Sequence, residues 1–373
     1  MSVTVLAACG PGEVRVAACD RGELLDYAVW RPGAPDGVGD LHRGRVIARV
    51  PALAGAFVAL DGPDGFLPDS EGAAGLTDGA IVGVRVTRAA QNAKGPRLTA
   101  RLSAEDRANV GTGRPALLRR GPSAVEWLAA RYPEAPVRAD DPALVAALRP
   151  SLGERVVPVQ GPAFDDALET EVAALAEPDA ALPGGGRLSV HPTPALTAID
   201  LDAGGAASGR AGKGATHRAL NVAALPVLAR QIRLRNLSGA ILVDWAGLSP
   251  RRRAALGPGL EAALASDPLR PRLLGFTALG LAEIVRARVH PPLHEVLSGP
   301  HAAALAGLRR LVAEARSDPA PRRALRAAPT VVAALHDDAT AQADMARLTG
   351  RPLTLRSDPS LGPCQWRVEV VEG

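Results

Sequence analysis

Two runs of β-prone apolar residues in the middle of the chain each end on an aspartate. The first run leads to Asp200 and the second to Asp244. Because a buried strand does not hold a bare carboxylate, we expect both aspartates where their strands reach the surface. A glycine-rich loop and a segment with helical periodicity separate the runs, which is the layout of a β-loop-α-β crossover.

Such a crossover brings the two strand ends to the same edge of one sheet. The carboxylates of Asp200 and Asp244 then lie close enough to share a divalent metal ion. On these residues alone, the alternative is two unrelated aspartates that cap turns at strand ends. The pattern predicts either arrangement, and other features of the chain bear on the choice.

Between residues 37 and 103 the pattern changes to five short strands separated by Gly, Pro and Asp turns. This spacing predicts a small Greek-key barrel. Phe57 and Phe66 fall on its strands, and an exposed aromatic ring offers a face on which a nucleic-acid base stacks. We interpret the barrel as an oligonucleotide-binding fold; the alternative is that both rings belong to its core.

The remaining segments mix helices and strands, so the chain as a whole is predicted to be α/β. Strands are expected in residues 1–35, and helices near 123–132, from 141, at 165–175 and at 216–235, where Pro226 should kink the helix or delay its start. The last segment is predicted to open with a helix and to continue with strands at 330–335, 352–356 and 366–371 and a helix at 339–349.

The length of the chain indicates the number of modules, and the distribution of charge indicates the kind of ligand. A chain of 373 residues favours two to four modules. Of its 43 basic residues only Lys94 and Lys213 are lysines, both in glycine-flanked loops. Between residues 200 and 290 there are 13 Lys and Arg against 6 Asp and Glu. This block suits a polyanionic ligand, although solvated helix faces produce such counts too.

The cysteines and the hydropathy argue against a disulfide-bonded, an exported or a membrane-spanning protein. Cys9, Cys19 and Cys364 form no CxxC pair and no metal-ligand spacing, which favours a reducing compartment without disulfides. The first residues lack the basic region of an export signal, and no apolar run approaches 18 residues. We therefore expect a cytoplasmic protein with no membrane partner.

Specific blocks of sequence add a family resemblance. Residues 39–46, 51–58, 65–68 and 94–99 resemble the S1-like domain of the ribonuclease E/G family. The resemblance implies that Phe57, Phe66 and Lys94 contact single-stranded RNA. Stacking suits the two rings, and a phosphate contact suits the ammonium group.

The central part resembles the same family through five blocks in the family's order, at 182–190, 195–200, 220–224, 230–244 and 280–288. The fold implied is an RNase H-like subdomain interrupted by the barrel, then a DNase I-like catalytic domain and a small C-terminal domain. The corresponding boundaries are 1–35 with 114–178 for the RNase H-like subdomain, 37–103 for the S1-like OB-fold domain, 179–293 for the catalytic domain, and 294–373 for the C-terminal α/β domain.

The resemblance also implies that Asp200 and Asp244 are catalytic and bind one Mg²⁺, for which Mn²⁺ would substitute. Magnesium held by two carboxylates keeps several waters, which suits phosphodiester hydrolysis. Asp202 stands where the family usually has Asn. It is a third catalytic candidate that would either tighten metal binding or repel the scissile phosphate. Glu283 is expected to pair with an arginine and not to bind metal.

Basic residues around these aspartates are predicted to contact the RNA backbone. For any one of them the alternative is a solvated surface side chain, but the charge of the whole segment favours binding. The candidates are Lys213, Arg218, Arg230, Arg233, Arg251, Arg253, Arg286 and Arg288.

Two features of longer family members have no counterpart in this sequence. Residues 102–115 leave no room for the 5′-phosphate sensor with its Arg-Thr pair, and no paired cysteines provide a zinc link. The resemblance thus implies no 5′-monophosphate sensing and no zinc, with homodimerisation, if any, through another contact. The predicted function is a Mg²⁺-dependent endoribonuclease acting on single-stranded RNA. The alternatives are an RNA-binding protein that has lost efficient cleavage and, more distantly, a DNA nuclease.

Overall fold

The chain folds into two units, each assembled from separated segments of sequence. The sheet unit comprises Met1–Ala34, Ala124–Ala287 and Pro292–Gly373, and the barrel unit comprises Pro35–Ser123 and Arg288–Pro291. The computed structural model describes residues 3–91, 94–204 and 213–371, and for 213–215 the backbone alone. The glycine-rich loop at 205–212 lies outside the described residues.

The sheet unit begins with the three strands that the sequence predicts. They are β1 (Val3–Gly10), β2 (Glu13–Asp20) and β3 (Glu23–Trp30), which pair as an antiparallel meander. Arg21 and Gly22 connect the last two strands, and both have positive φ, 51° and 87°. Two successive residues with positive φ make the type of tight turn whose twist matches that of a β-hairpin.

The barrel unit follows. Its elements are β4 (Leu41–Val50), β5 (Gly55–Ala59), β6 (Gly65–Pro68), β7 (Ile81–Arg88), β8 (Arg97–Thr99), α1 (Ala104–Ala108) and β9 (Ala116–Arg119). The strand order is β5-β6-β8-β7-β4-β9, and β4 also pairs with β5. The five predicted strands therefore close on themselves, with β9 added beside β4. Alternate residues such as Val58, Leu67 and Leu98 fill the interior.

The chain then returns to the sheet unit. The next elements are α2 (Ala124–Arg131), β10 (Val137–Ala139), α3 (Pro142–Leu152), β11 (Val156–Pro158) and α4 (Asp166–Ala174). Strands β10 and β11 extend the first sheet in the order β11-β10-β1-β2-β3. The carboxylates of Asp141 and Asp165 cap α3 and α4 by accepting hydrogen bonds from the N–H groups of Ala143 and Leu168. All three helices predicted here are confirmed.

A six-stranded sheet forms the centre of the unit. Its elements are β12 (Asp179–Ala181), β13 (Arg187–Pro192), β14 (Thr197–Asp202), α5 (Lys213–Leu234), β15 (Gly239–Asp244), α6 (Pro250–Ala254), α7 (Gly257–Leu264), β16 (Arg272–Phe276) and β17 (Ala282–Arg286). The order is β12-β13-β14-β15-β17-β16, and β14 and β15 are parallel neighbours joined through α5. The predicted crossover is confirmed. Helix α5 begins before Pro226, which is exposed within it.

The C-terminal segment forms a small three-stranded sheet covered by helices. Its elements are α8 (Leu293–Val296), α9 (Gly299–Ser317), β18 (Arg322–Ala327), α10 (Pro329–His336), α11 (Ala339–Thr349), β19 (Leu355–Ser357) and β20 (Trp366–Val371), with the strand order β19-β18-β20. The strand predicted at 330–335 is wrong, since this stretch is α10. Val331 and Leu335 are buried four residues apart, a helical repeat, and Pro329 suits the first turn.

At the level of fold class the structure confirms a mixed α/β chain with several sheets and a closed barrel. All three cysteines are free thiols. Among the described helices, none combines the length and the apolar character that a membrane span requires.

Candidate active site

Asp200 and Asp244 are register partners on the parallel strands β14 and β15. Ile199 and Leu201 point into the core beneath the sheet, whereas Asp200 is exposed and Asp244 is half-buried. Paired residues of neighbouring strands carry their side chains on the same face, and the strands lie about 4.8 Å apart. The structure thus brings the two predicted metal ligands side by side on the open face of the sheet.

An arginine from the following helix holds one of these carboxylates. Arg253 Nη1 donates a hydrogen bond to Asp244 Oδ1 over 2.5 Å, and its Nε donates to the carbonyl of Leu248 over 2.8 Å. Arg253 reaches this position because α6 begins at Pro250, six residues after Asp244. The sequence predicts that Arg253 contacts RNA. It does not predict the hydrogen bond to Asp244, because that bond depends on the conformation of the turn between the two residues.

Asp202 lies on the same face as Asp200 but has its own partners. Its carboxylate accepts a hydrogen bond from the N–H of Gly204 over 3.0 Å and lies 3.6 Å from the guanidinium of Arg187. Arg187 and Asp202 are register partners across β13 and β14. The third carboxylate therefore caps the end of its strand and is partly neutralised there.

A buried amide supports the turn that follows Asp244. The side chain of Asn221 on α5 donates to the carbonyls of His217 and Ala246, at 2.7 and 2.8 Å, and accepts from the N–H of Ala246. The ring of His217 also hydrogen-bonds the carbonyl of Gly247 over 3.1 Å. Asn221 lies in one of the blocks that carried the family resemblance, but nothing in the sequence assigned it this role.

The donor set at the two aspartates fits a magnesium ion. Hard carboxylate oxygens from two neighbouring strands, with an open face for waters, are what Mg²⁺ uses when it is not enclosed by protein. Within the described residues no group of three or more His, Cys, Asp and Glu side chains is arranged to hold a metal. Glu283 on β17 has Leu242 of β15 as its register partner. On the chemistry of their oxygens and their register pairing, Asp200 and Asp244 are the residues that would hold such an ion.

The predicted RNA-contacting arginines separate into exposed and structural groups. Arg218 and Arg251 are exposed. Arg286 is only 4% exposed, and its Nε donates to Asp267 Oδ2 over 2.8 Å. Such a paired, buried guanidinium favours a structural role over the predicted RNA contact. The side chain of Lys213 lies outside the described residues.

Arg233 belongs to a buried ion network inside the sheet unit. Its guanidinium lies 3.4 Å from the carboxylate of Asp26, which also receives a hydrogen bond from the Tyr132 hydroxyl. Burial raises the pKa of Asp26, although Tyr132 and the nearby Arg131 and Arg233 oppose this. Burial and Asp26 together raise the pKa of Tyr132 to about 12. Arg233 therefore has a structural role, in which it links α5 to β3 through Asp26.

Arg230, one turn earlier, has a similar role. It pairs with Glu171 and donates to the carbonyl of Leu24 over 2.9 Å. Arg288 belongs to the barrel unit. Of the predicted set with described side chains in the sheet unit, the exposed Arg218 and Arg251 and the Asp244 partner Arg253 therefore remain candidates for RNA contact.

The two phenylalanines of the barrel unit lie on its outer face. Phe57 and Phe66 are register partners on β5 and β6, and their ring centroids are 5.5 Å apart in an edge-to-face arrangement. Phe57 is 40% exposed, whereas its neighbours Ala56 and Val58 point inward. A ring outside the core is available for stacking. The structure therefore excludes the alternative in which both rings fill the interior.

Positive charge lies close to these rings. Arg97 on β8 is the register partner of Phe66 on β6 and of Arg88 on β7, and Lys94 is exposed just before β8. Burial and the nearby guanidinium groups of Arg97 and Arg288 lower the pKa of Arg88. Like charges held together in this way attract an anion such as a nucleic-acid phosphate.

The structure is thus a mixed α/β protein with paired aspartates on two parallel strands and a barrel unit that exposes an aromatic ring. Residues 143–289, which include both aspartates, match the model of the Ribonuclease E/G family. This segment of the chain is therefore similar to the ribonuclease E/G family, as the resemblance indicated.

Individual relatives match the same part of the chain. Ribonuclease G of Escherichia coli (strain K12) is 36% identical over 132 residues, which are 35% of this chain and 27% of that protein. Ribonuclease E of Nostoc sp. (strain PCC 7120) is 36% identical over 141 residues, 36% of this chain and 20% of the relative. Ribonuclease E of E. coli (strain K12) is 33% identical over 133 residues, 34% of this chain and 12% of the relative. The chain thus matches about a quarter or less of each relative's length.

Proposed function

We propose that this chain is a magnesium-dependent endoribonuclease that cleaves single-stranded RNA. The observation that carries the proposal is the register pairing of Asp200 with Asp244 on parallel strands, inside the segment that matches the ribonuclease E/G family. The outward-facing rings of the barrel unit support single-stranded RNA as the substrate, because unpaired bases are free to stack.

The proposed chemistry assigns separate tasks to the two units. A bound Mg²⁺ would supply Lewis acidity and a polarised water. Asp200 and Asp244 hold and orient the ion through their carboxylates. Arg251, exposed on α6, contributes positive charge for the RNA backbone. In the barrel unit, Phe57 and Phe66 hold bases, while Lys94 contacts a phosphate.

Cleavage of a single-stranded RNA labelled at both ends tests the proposal. Internal cleavage that requires Mg²⁺ or Mn²⁺, stops with EDTA and is lost in Asp200→Asn and Asp244→Asn is the expected result. Asp166→Asn is the matched control, since Asp166 is exposed on α4 and is not part of the six-stranded sheet that carries the paired aspartates. Absence of cleavage with any divalent metal would overturn the proposal.

A second candidate is an RNA-binding protein that keeps the fold and the metal site but cleaves little or not at all. Two observations favour it: Asp202 stands where the family usually has Asn, and Arg253 occupies Asp244 Oδ1. The same assay separates the candidates when RNA binding is measured alongside it. Binding without cleavage in the wild type, together with intact metal binding, supports the second candidate.

The substrate proposal extends to the RNA 5′ end and to the sugar. With residues 102–115 too short for a sensor, 5′-monophosphate and 5′-hydroxyl substrates should be cut at equal rates. A single-stranded DNA of the same sequence tests the DNA nuclease alternative. The proposed setting is the cytoplasm, and any homodimer should persist in EDTA because no zinc link is proposed; native mass spectrometry with and without EDTA measures this.

A further inference from the structure

The Asp244 carboxylate is held by a cation that belongs to the chain itself. Its partner Arg253 is the more enclosed of the two, with 15% of its side chain exposed against 50% for Asp244. The carbonyl of Leu248 accepts a second hydrogen bond from the same guanidinium, over 2.8 Å. Arg253 is therefore fixed from two sides while the carboxylate stays open to solvent.

The fold provides a place for this arginine. Gly280, in the turn between β16 and β17, lies so close that a Cβ atom there would be 2.8 Å from Cδ of Arg253 and 2.9 Å from Cα of Pro250. Its φ of +83° also favours glycine. The stem of Arg253 is thus enclosed by the turn, so the ion pair is built into the site and differs from a casual contact between two long surface side chains.

We propose that Arg253 is a built-in counter-ion of Asp244, which competes with the divalent cation for this carboxylate and so sets the affinity of the site. This proposal rests on the proposed function, because it takes Asp200 and Asp244 as the metal ligands. Without a cation, the neighbouring carboxylates repel each other, and the guanidinium offsets part of that repulsion. A cation that binds both carboxylates shares the Asp244 carboxylate with Arg253, and the guanidinium repels it.

Manganese binding, followed by electron paramagnetic resonance, tests this in the absence of RNA. Arg253→Ala should bind Mn²⁺ about two- to fivefold more tightly than the wild type, the range that partly exposed ion pairs support. Arg253→Met, which keeps the apolar stem beside Gly280, should show the same gain. Arg252→Ala is the matched control, because Arg252 is exposed on the same helix, and should bind as the wild type does.

Thermal unfolding gives a second readout. In EDTA, Arg253→Met should melt at a lower temperature than Arg252→Ala, because Asp244 has lost its counter-ion, and Mn²⁺ should raise its melting temperature by more. Unchanged or weaker Mn²⁺ binding in both Arg253 variants, beside a wild-type site that Asp200→Asn abolishes, overturns the counter-ion proposal alone. Wild-type Mn²⁺ binding that neither Asp200→Asn nor Asp244→Asn affects overturns the metal site and this proposal with it.

Discussion

The side-chain amide of Asn221 hydrogen-bonds both backbone groups of Ala246, donating to the carbonyl over 2.8 Å and accepting from the N–H over 3.1 Å. Asn221 is fully buried on α5, and Ala246 lies two residues after Asp244. The amide therefore acts as a clamp that fixes, from the helix, the turn leaving one of the proposed metal ligands.

Asn221→Ala should lower the free energy of unfolding by about 1–3 kcal/mol, because it leaves buried backbone groups at Ala246 without a partner. It should also weaken Mn²⁺ binding, since the turn after Asp244 is no longer held. Urea denaturation and Mn²⁺ titration measure the two effects. Val222→Ala is the control, because Val222 is 47% exposed on the next position of the same helix. Equal stability of the two variants would contradict the clamp.

Phe57→Ala should weaken the binding of single-stranded RNA by roughly 1–3 kcal/mol, the value of one lost base stack. The melting temperature should change little, because the ring lies outside the barrel core. Fluorescence anisotropy with a labelled oligonucleotide measures the first effect and differential scanning calorimetry the second.

Two control variants separate an effect on RNA binding from an effect on barrel stability. Leu53→Ala removes a large exposed side chain from the same unit, 56% exposed, and should leave RNA binding unchanged. Val58→Ala removes a buried neighbour and should destabilise the barrel. If Phe57→Ala behaves like Val58→Ala in calorimetry, the ring is structural and the stacking role is wrong.

The pairing of Asp200 with Asp244 was predictable from the sequence. Two apolar runs, each ending at one of these aspartates, lie on either side of a helical segment. Parallel pairing through a helical crossover then puts the ends of the runs at one edge. The outer position of Phe57 followed less directly. Its alternation with Ala56 and Val58 shows that it lies on one face, but sequence alone does not say which face is the interior.

Other features depended on contacts between residues distant in the chain. In the sequence, Arg286 is one arginine among several in a basic segment and is predicted to contact RNA. The fold shows that it is buried and donates a hydrogen bond to Asp267. The sequence of the helix at Pro329–His336 predicts a strand because β-branched residues dominate its start. Tertiary packing of Val331 and Leu335 overrides that local preference.

His42 should make the barrel unit less stable as the pH falls. Burial lowers the pKa of its imidazole below the ordinary value of 6.5, although Asp40, 3.9 Å away, opposes this. Below pH 6.5 the unfolded chain therefore binds a proton that the folded barrel resists, so folding stability is lost as the pH decreases. The methyl NMR signals of Val46 and Val84, followed through urea unfolding at pH 7.5 and 5.5, should show the barrel weaker at the lower pH.

His42→Gln provides the comparison for that experiment. It removes the titrating group, so the difference in barrel stability between the two pH values should shrink. A difference as large as that of the wild type would assign the pH dependence to other groups.

Asp202→Asn should change Mn²⁺ affinity by less than about twofold, because the carboxylate is already engaged by Arg187 and by the N–H of Gly204. In an Arg187→Ala background, Asp202 should have a larger effect on Mn²⁺ affinity. With the guanidinium gone, the negative charge on the face shared with Asp200 is no longer offset, and adding Asp202→Asn should lower Mn²⁺ affinity more than it does in the wild type. Titration of the two single variants and the double variant measures this coupling. A tenfold loss of affinity in Asp202→Asn alone would instead make Asp202 a metal ligand.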